Sequence, residues 1–297
     1  MDRRREVEWP TLGLLAACYL VWLLATTWAA ALWLPLGMAL LALAVTLHSS
    51  LQHEVLHGHP FRSRRGNEAT VFLPIGLFYP YRRFRDLHLA HHDDERLTDP
   101  YDDPESNFLD PKVWGRLPRW HQRLLRVNNT LLGRMALGPV IGTIAFFRDE
   151  ARAIRAGNAR VRRAWVLHLA GLAAVLGWIA VAPMPFWAYV VSAYLGMSVL
   201  KVRTFLEHRA HEEAPGRTVV VERGGVLGFL FLYNNLHIVH HTRPRLPWYR
   251  LPALYAAERE AFLARNHGYS YRSYGEIFRR YFLSAKDPVP HPLMPGD

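Results

Sequence analysis

Three short clusters of histidine dominate the chemistry open to this chain: HEVLH at His53 to His57, HLAHH at His88 to His92, and HIVHH at His237 to His241. On a helix, residues three and four apart share a face, so each cluster can aim its imidazoles at one point. With sixteen histidines in 297 residues, an HxxHH pattern is expected by chance on the order of 0.05 times. Two are present. Together with His208, the candidate metal ligands are His53, His57, His88, His91, His92, His208, His237, His240 and His241. One zinc takes four ligands and an octahedral ion about six, so this surplus of imidazoles suits two ions rather than one. The single cysteine, Cys18, excludes disulfides within the chain, Cys-ligated zinc and iron–sulfur clusters, which leaves nitrogen and oxygen donors. Imidazole suits iron, copper, zinc and nickel alike.

Polar neighbours of the clusters are candidates for fixing the tautomer of a ligand through its second ring nitrogen. Glu54 and Glu207 each adjoin a candidate ligand, and Asn234 and Asn235 precede the third cluster. The acidic stretch from Asp93 to Glu105 reads as a solvated loop with turn prolines, with Asp93 or Asp99 as its candidates for the same supporting role. His48 lies five residues before His53 and so points off that face, as a buried, hydrogen-bonded residue would. His121, His168, His267 and His291 are isolated and are expected to be structural or surface residues. HEVLH also matches the HExxH pattern of zinc metalloproteases. Such an enzyme would use His53, His57 and one further ligand, leaving both HxxHH clusters idle. A metal transporter would gather its ligands near the bilayer midplane rather than at one face.

The elements that must position these clusters are membrane helices. From Thr11 to Leu56 the first charge is Glu54, and from Ala164 to Leu200 there is no Asp, Glu, Lys or Arg. About 20 apolar residues already cross a bilayer, so each run is two spans. The breaks at Pro35 and at Pro183 to Pro185 divide them into residues 11–32, 35–56, 164–182 and 186–206, two helical hairpins. The first run continues into a second apolar segment, which argues against a cleaved signal peptide behind Arg3, Arg4 and Arg5. The stretches Val71 to Tyr81 and Leu131 to Phe147 are interrupted by Gly and Pro and are expected at the interface. Basic residues crowd one side: Arg3 to Arg5, Arg62 to Arg85, and Arg152 to Arg163, with none at either hairpin tip. By the positive-inside rule that side, with both termini and the histidines, is cytoplasmic, in an inner or cytoplasmic membrane. The net charge of +11 is then topological, drawing that face to anionic lipid headgroups. No nucleic-acid-binding motif accompanies the arginines. The expected fold is an all-α integral-membrane protein: four transmembrane helices as two hairpins, with a cytoplasmic helical cap holding a His-rich di-metal site. It forms one domain over residues 1–286, and residues 287–297 form a proline-rich disordered tail.

HxxxH followed by Gly58, then HxxHH, then a late HxxHH with paired spans between, resembles the three histidine boxes of membrane fatty acid desaturases and the related hydroxylases and carotenoid ketolases. The likeness runs from about His53 to Pro252. It implies His53 and His57 as the first box, His88, His91 and His92 as the second, and His237, His240 and His241 as the third. His208 matches the extra ligand that acyl-CoA desaturases place after the fourth span. Those enzymes carry an asparagine four residues earlier that holds a metal-linked water, where this chain has Thr204, whose hydroxyl can also bind water. The resemblance implies two iron ions that use O2 to abstract hydrogen from an unactivated C–H bond, on the acyl chain of a lipid reached from the bilayer. It further implies a separate ferredoxin- or cytochrome-type electron donor, since no HPGG-type haem segment is present. The stretch from Asn234 to Pro252 is also similar to carotenoid ketolases and hydroxylases, so desaturation, hydroxylation and ketolation all stay open.

Overall fold

A computed structural model describes residues 7–92 and 94–295. The basic Arg3, Arg4 and Arg5, and Asp93, lie outside the described residues. The chain is mostly helical. In order it forms α1 (Trp9–Leu32), α2 (Leu34–Leu56), α3 (Arg64–Thr70), α4 (Tyr81–His91), α5 (Pro111–Arg116), α6 (Arg119–Asn128), α7 (Leu131–Arg155), α8 (Ala159–Val181) and α9 (Phe186–Thr204). Then come β1 (Val220–Arg223), α10 (Gly225–Leu230), α11 (His237–Thr242), α12 (Leu251–Arg265), β2 (Ser270–Ser273) and α13 (Tyr274–Tyr281). Two compact units emerge: the residues up to Arg85 with Val140–Val199, and Asp86–Pro139 with the residues from Leu200 on.

The first unit is built from long apolar helices. Four helices in the chain are long and apolar enough to cross a membrane: α1, α2, α7 and α8. Pro10 and Pro35 open α1 and α2, where a missing N–H costs nothing. Asn158 caps α8 by accepting from the backbone N–H groups of Arg160 and Val161. A π-turn at Ala25–Ala29 interrupts α1. It releases the Thr26 carbonyl, which accepts from the backbone N–H of Met184 at 3.2 Å, so the irregular turn ties α1 to the α8–α9 tip. Without a hydrophobic force between helices in lipid, close approach rests on small residues and interhelical hydrogen bonds. A Cβ on Gly196 would lie 2.8 Å from the Ala42 carbonyl, and Thr46 Oγ1 donates to the Gly196 carbonyl at 3.1 Å beside it. Tyr189 Oη accepts from Trp22 Nε1 at 2.9 Å and donates to the Ile75 carbonyl at 2.8 Å. His48 is buried, as expected, on Tyr19 Oη.

Two segments differ from expectation. Leu131 to Phe147 is not interrupted: α7 runs 25 residues straight through Pro139. Gly and Pro break helices where water competes for the freed backbone groups, and an apolar surrounding removes that competitor. The helix α9 forms where the last span was expected, but over 19 residues ending with Lys201 and Arg203 in its final turn, and it is not among the four helices long and apolar enough to cross a membrane.

In the second unit, β1 and β2 pair in parallel, Val221 opposite Tyr271. Against them pack Leu236, Ile238, Val239, Leu251, Tyr255 and Phe262, the apolar core around α11. The proline-rich stretch after Lys286, expected to be disordered, is ordered through Pro295. Val289 is buried and its carbonyl accepts from Leu109 N–H at 2.9 Å, while His291 N–H donates to the Leu109 carbonyl at 2.8 Å. Prolines cannot continue a ladder, but the residues between them still pair at an edge.

Candidate metal centre

The second unit alone gathers seven of the nine candidate imidazoles. His88 and His91 occupy the last turn of α4 and His92 follows it, while His237, His240 and His241 fill α11. In both cases the i, i+3, i+4 spacing puts the rings on one face. The helix α11 has six residues, too short to be stable by itself. It is held because Ile238 and Val239, on its other face, are buried in the core around β1.

Within this unit the rings form two sets. His91, His208, His237 and His241 each offer a nitrogen, and these four lie within 4.8 Å of one another. His208 Nε2 is 2.9 Å from His91 Nε2 and 3.1 Å from His237 Nε2. In the second set His92 Nε2 is 3.0 Å from His88 Nε2 and 3.1 Å from His240 Nε2. The first-box residues, in the first unit, are both buried at the end of α2, with ring centroids 5.0 Å apart.

The far side of several rings explains which nitrogen faces inward. His91 Nδ1 donates to Asp103 at 2.7 Å, His88 Nδ1 to Glu105 at 3.0 Å and His237 Nδ1 to Asn234 Oδ1 at 3.0 Å. Asn234 Nδ2 in turn donates to Glu207, which Arg203 neutralises at 3.1 Å. With the proton on Nδ1 and the ring neutral, as a metal ligand must be, the Nε2 of each of these three carries a lone pair directed at its neighbours. Lone pairs about 3 Å apart repel unless a shared cation sits between them. Ligands at right angles on an ion with metal–nitrogen bonds of about 2.1 Å are about 3.0 Å apart, so the observed spacings fit metal coordination.

Electrostatics divide the rings into two kinds. Burial, reinforced by neighbouring imidazoles, holds His208 and His237 well below the ordinary histidine value, which keeps them neutral as ligands must be. Burial alone would lower His91 too, but Glu105, Asp103 and Glu207 outweigh it and raise it to about 9. Burial opposes the ionisation of Glu105, yet His88, His91 and Arg203 together hold it below the usual carboxylate range. Glu105 thus places negative charge beside the buried rings, whereas burial raises Glu207 above its ordinary value.

Of the supporting residues expected from sequence, Glu207 and Asn234 stand behind His237. Asn235 instead donates to the Val221 carbonyl at 2.7 Å, tying the pre-box turn to β1. Asp99 turns back on its own loop, accepting from the N–H groups of Tyr101 and Asp102. Asp103 and Glu105, which the sequence presented only as members of an acidic loop, accept from His91 and His88 in the way expected of Asp99, and Asp93 lies outside the described residues. In the first unit Glu54 is buried 3.7 Å from His59 Nε2, and Glu8 holds His59 Nδ1 at 2.7 Å. Thr204 Oγ1 is buried with no hydrogen-bond partner among the described residues, which leaves it able to take a small polar guest. The isolated histidines stay apart from both sets: His168 bonds the Leu77 carbonyl, His267 pairs with Glu213, His291 bonds Thr98 and His121 stacks on Trp120.

The candidate donors are all nitrogen, with Nε2 atoms facing inward and carboxylates behind two of the rings. A family model described as fatty acid desaturase matches residues 26–275. No curated protein matches the chain significantly. Four helices apolar enough to span a bilayer, two buried imidazole sets and a family match over most of the sequence lead to one assignment: this integral-membrane chain belongs to the fatty acid desaturase family, a family of O2-dependent oxidoreductases.

Proposed function

We propose that the chain is a di-iron desaturase that inserts a double bond into the acyl chain of a membrane lipid. The observation that carries this is the pair of imidazole sets in the second unit, with their nitrogens at the spacings of ligands on one ion. The nine histidines named from sequence are the proposed ligands, with His53 and His57 completing the set as the first box does in the family. Iron is proposed because the reaction needs redox chemistry, which zinc lacks. For the same reason the HExxH protease assignment is set aside, since it leaves the carboxylate-backed second and third boxes without work.

When bound, such ions supply O2 activation and removal of hydrogen from unactivated carbon. The chain's own residues hold the site for it. Asp103, Glu105 and Asn234 keep the Nδ1 protons of His91, His88 and His237, so that the Nε2 atoms stay available. The reaction balances as one CH2–CH2 unit, O2, two electrons and two protons giving CH=CH and two waters. The electrons come from a separate ferredoxin- or cytochrome-type donor.

The basic residues support a cytoplasmic centre. Pairing α7 with α8, or α8 with α9, gives an even number of crossings, so both keep the three boxes on one side. Anionic headgroups on that side are proposed partners. The helix α6 exposes Arg123, Trp120 and Val127 with no acidic residue along it, the pattern of a helix that meets such a surface.

Metal analysis and lipid profiling test the proposal. Purified protein should hold two irons per chain, and cells with the gene should gain an unsaturated acyl species. His91→Ala or His240→Ala should abolish that product and lower bound iron, while His267→Ala should do neither. A changed pigment with unchanged acyl chains would move the assignment to a carotenoid ketolase or hydroxylase, and one zinc per chain would refute it.

A further inference from the structure

His88, His91 and His237 are each fixed through their rings, by Glu105, Asp103 and Asn234. His208 is not. Its Nδ1 is buried without a hydrogen-bond partner among the described residues, yet its Nε2 sits between those of His91 and His237. Beyond its packing against the rings of His91, His237 and His241, its place is set by its main chain, and the main chain there needs help. Past Thr204 the chain has left α9, and the carbonyls of Leu206 and His208 need donors from elsewhere.

Two buried side chains from the C-terminal part of the unit take up those carbonyls. Tyr269 Oη donates to the Leu206 carbonyl at 2.7 Å. Lys286 Nζ donates to the His208 carbonyl at 2.9 Å and to Tyr269 Oη at 3.1 Å, with Asp287 as its third acceptor. An ammonium has three donors, and all three are used. On the other side of the same stretch, Arg209 N–H donates to the Arg217 carbonyl and Val219 N–H to the Glu207 carbonyl, so His208 is gripped from two directions. Lys286 is itself anchored, since the Asp287 carbonyl accepts from Asn129 Nδ2 at 2.7 Å and Ala285 bridges to Thr130. The strand-like pairing of Leu109 with Val289 and His291 continues this strap to the end of the loop that carries Asp103 and Glu105.

We propose that Lys286 is a positioning residue of the metal centre: by holding the His208 carbonyl it sets the place of the His208 ring, and the segment Ala285–His291 is the strap that presents it. This rests on the metal-binding role proposed above for the histidines.

The test is titration of metal-stripped, detergent-purified full-length protein with Co(II), followed by its visible spectrum, with the melting temperature recorded in parallel. The wild type should bind two ions. Lys286→Met should keep one tight ion and bind the other about tenfold more weakly, with a changed spectrum like that of His208→Ala. Lys286→Arg, which can still donate to the carbonyl, should recover most of the loss, and Lys112→Met, on the surface, should match the wild type. Unchanged binding and spectrum in Lys286→Met would overturn the positioning role while leaving the metal centre intact. Equal loss of both ions with a lower melting temperature and no recovery by Lys286→Arg would likewise overturn it, marking Lys286 as a general fold residue. A wild type that binds no ion would overturn the metal centre and this role together.

Discussion

Replacing Asp103 with asparagine isolates what a carboxylate does behind a histidine proposed as a metal ligand. Asp103 and His91 are each only 2 % exposed at the side chain. Asp103 Oδ1 accepts from His91 Nδ1 at 2.7 Å and from Glu105 N–H at 2.8 Å, and Oδ2 accepts from Thr98 N–H at 2.9 Å. Asparagine has one acceptor oxygen. If that oxygen faces His91, the new amide N–H group confronts the Thr98 N–H, and if it faces Thr98, the amide confronts the His91 Nδ1 proton. A charge-assisted bond contributes about 1.5–3 kcal/mol and a neutral one about 0.5–1.5 kcal/mol. The difference of about 1–1.5 kcal/mol at His91 corresponds to about a tenfold weaker ion, since about 1.4 kcal/mol is a decade. Equilibrium titration with Fe(II), with iron per chain counted by mass spectrometry, measures it. Asp99→Asn, which alters only its own turn, serves as the comparison and should bind iron as the wild type does. Iron binding unchanged in Asp103→Asn, or weakened more in Asp99→Asn, would refute the assignment of these carboxylates.

Asn234→Ala should weaken metal binding about 10–100-fold, because it frees His237 Nδ1 and removes an amide donor from Glu207. Asn235→Ala should leave the ions in place and lower only the melting temperature, and the same titration distinguishes them. Gly196→Ala forces a Cβ to 2.8 Å from the Ala42 carbonyl and should cost about 1–3 kcal/mol of stability. Thermal unfolding in detergent should show a lower midpoint, and an unchanged one would mean that the helices separate without penalty. The hydrogen bond from Arg259, aided by Tyr255, holds Glu222 below its ordinary value of 4.5 against a modest opposing burial. A depressed carboxylate stabilises the fold above that value, and the contribution is lost as pH falls below it. Glu222→Gln should therefore flatten acid unfolding below pH about 4.5, and a profile like that of the wild type would show that the pair is inert.

The boxes were legible because their spacing is itself a geometric statement. Residues i, i+3 and i+4 share a face whether the helix is the eleven-residue α4 or the six-residue α11. The apolar runs were legible for a similar reason, as length and absence of charge are properties of the chain alone. The choice of Asp103 over Asp99 was not, because several acidic residues in a loop look alike until long-range contacts fold it. Here the pairing of Leu109 with Val289, a partner 180 residues away, anchors the loop's far end. The persistence of α7 through Pro139 escaped for a different reason. A breaker's strength depends on the medium, and sequence rules calibrated on watery surroundings overstate it. Lys286 carried no local signal at all, being one more basic residue near a run of prolines.

Lys286 and the strap also bear on how the protein is made. The second unit draws on residues either side of a 60-residue stretch belonging to the first, and its closing hydrogen bonds come from Asp287, Val289 and His291. A ribosome must translate past position 291 before that knot can tie. All nine candidate ligands, the last of them His241, have been translated by then, so the strap that holds the His208 main chain closes only after every one of them exists.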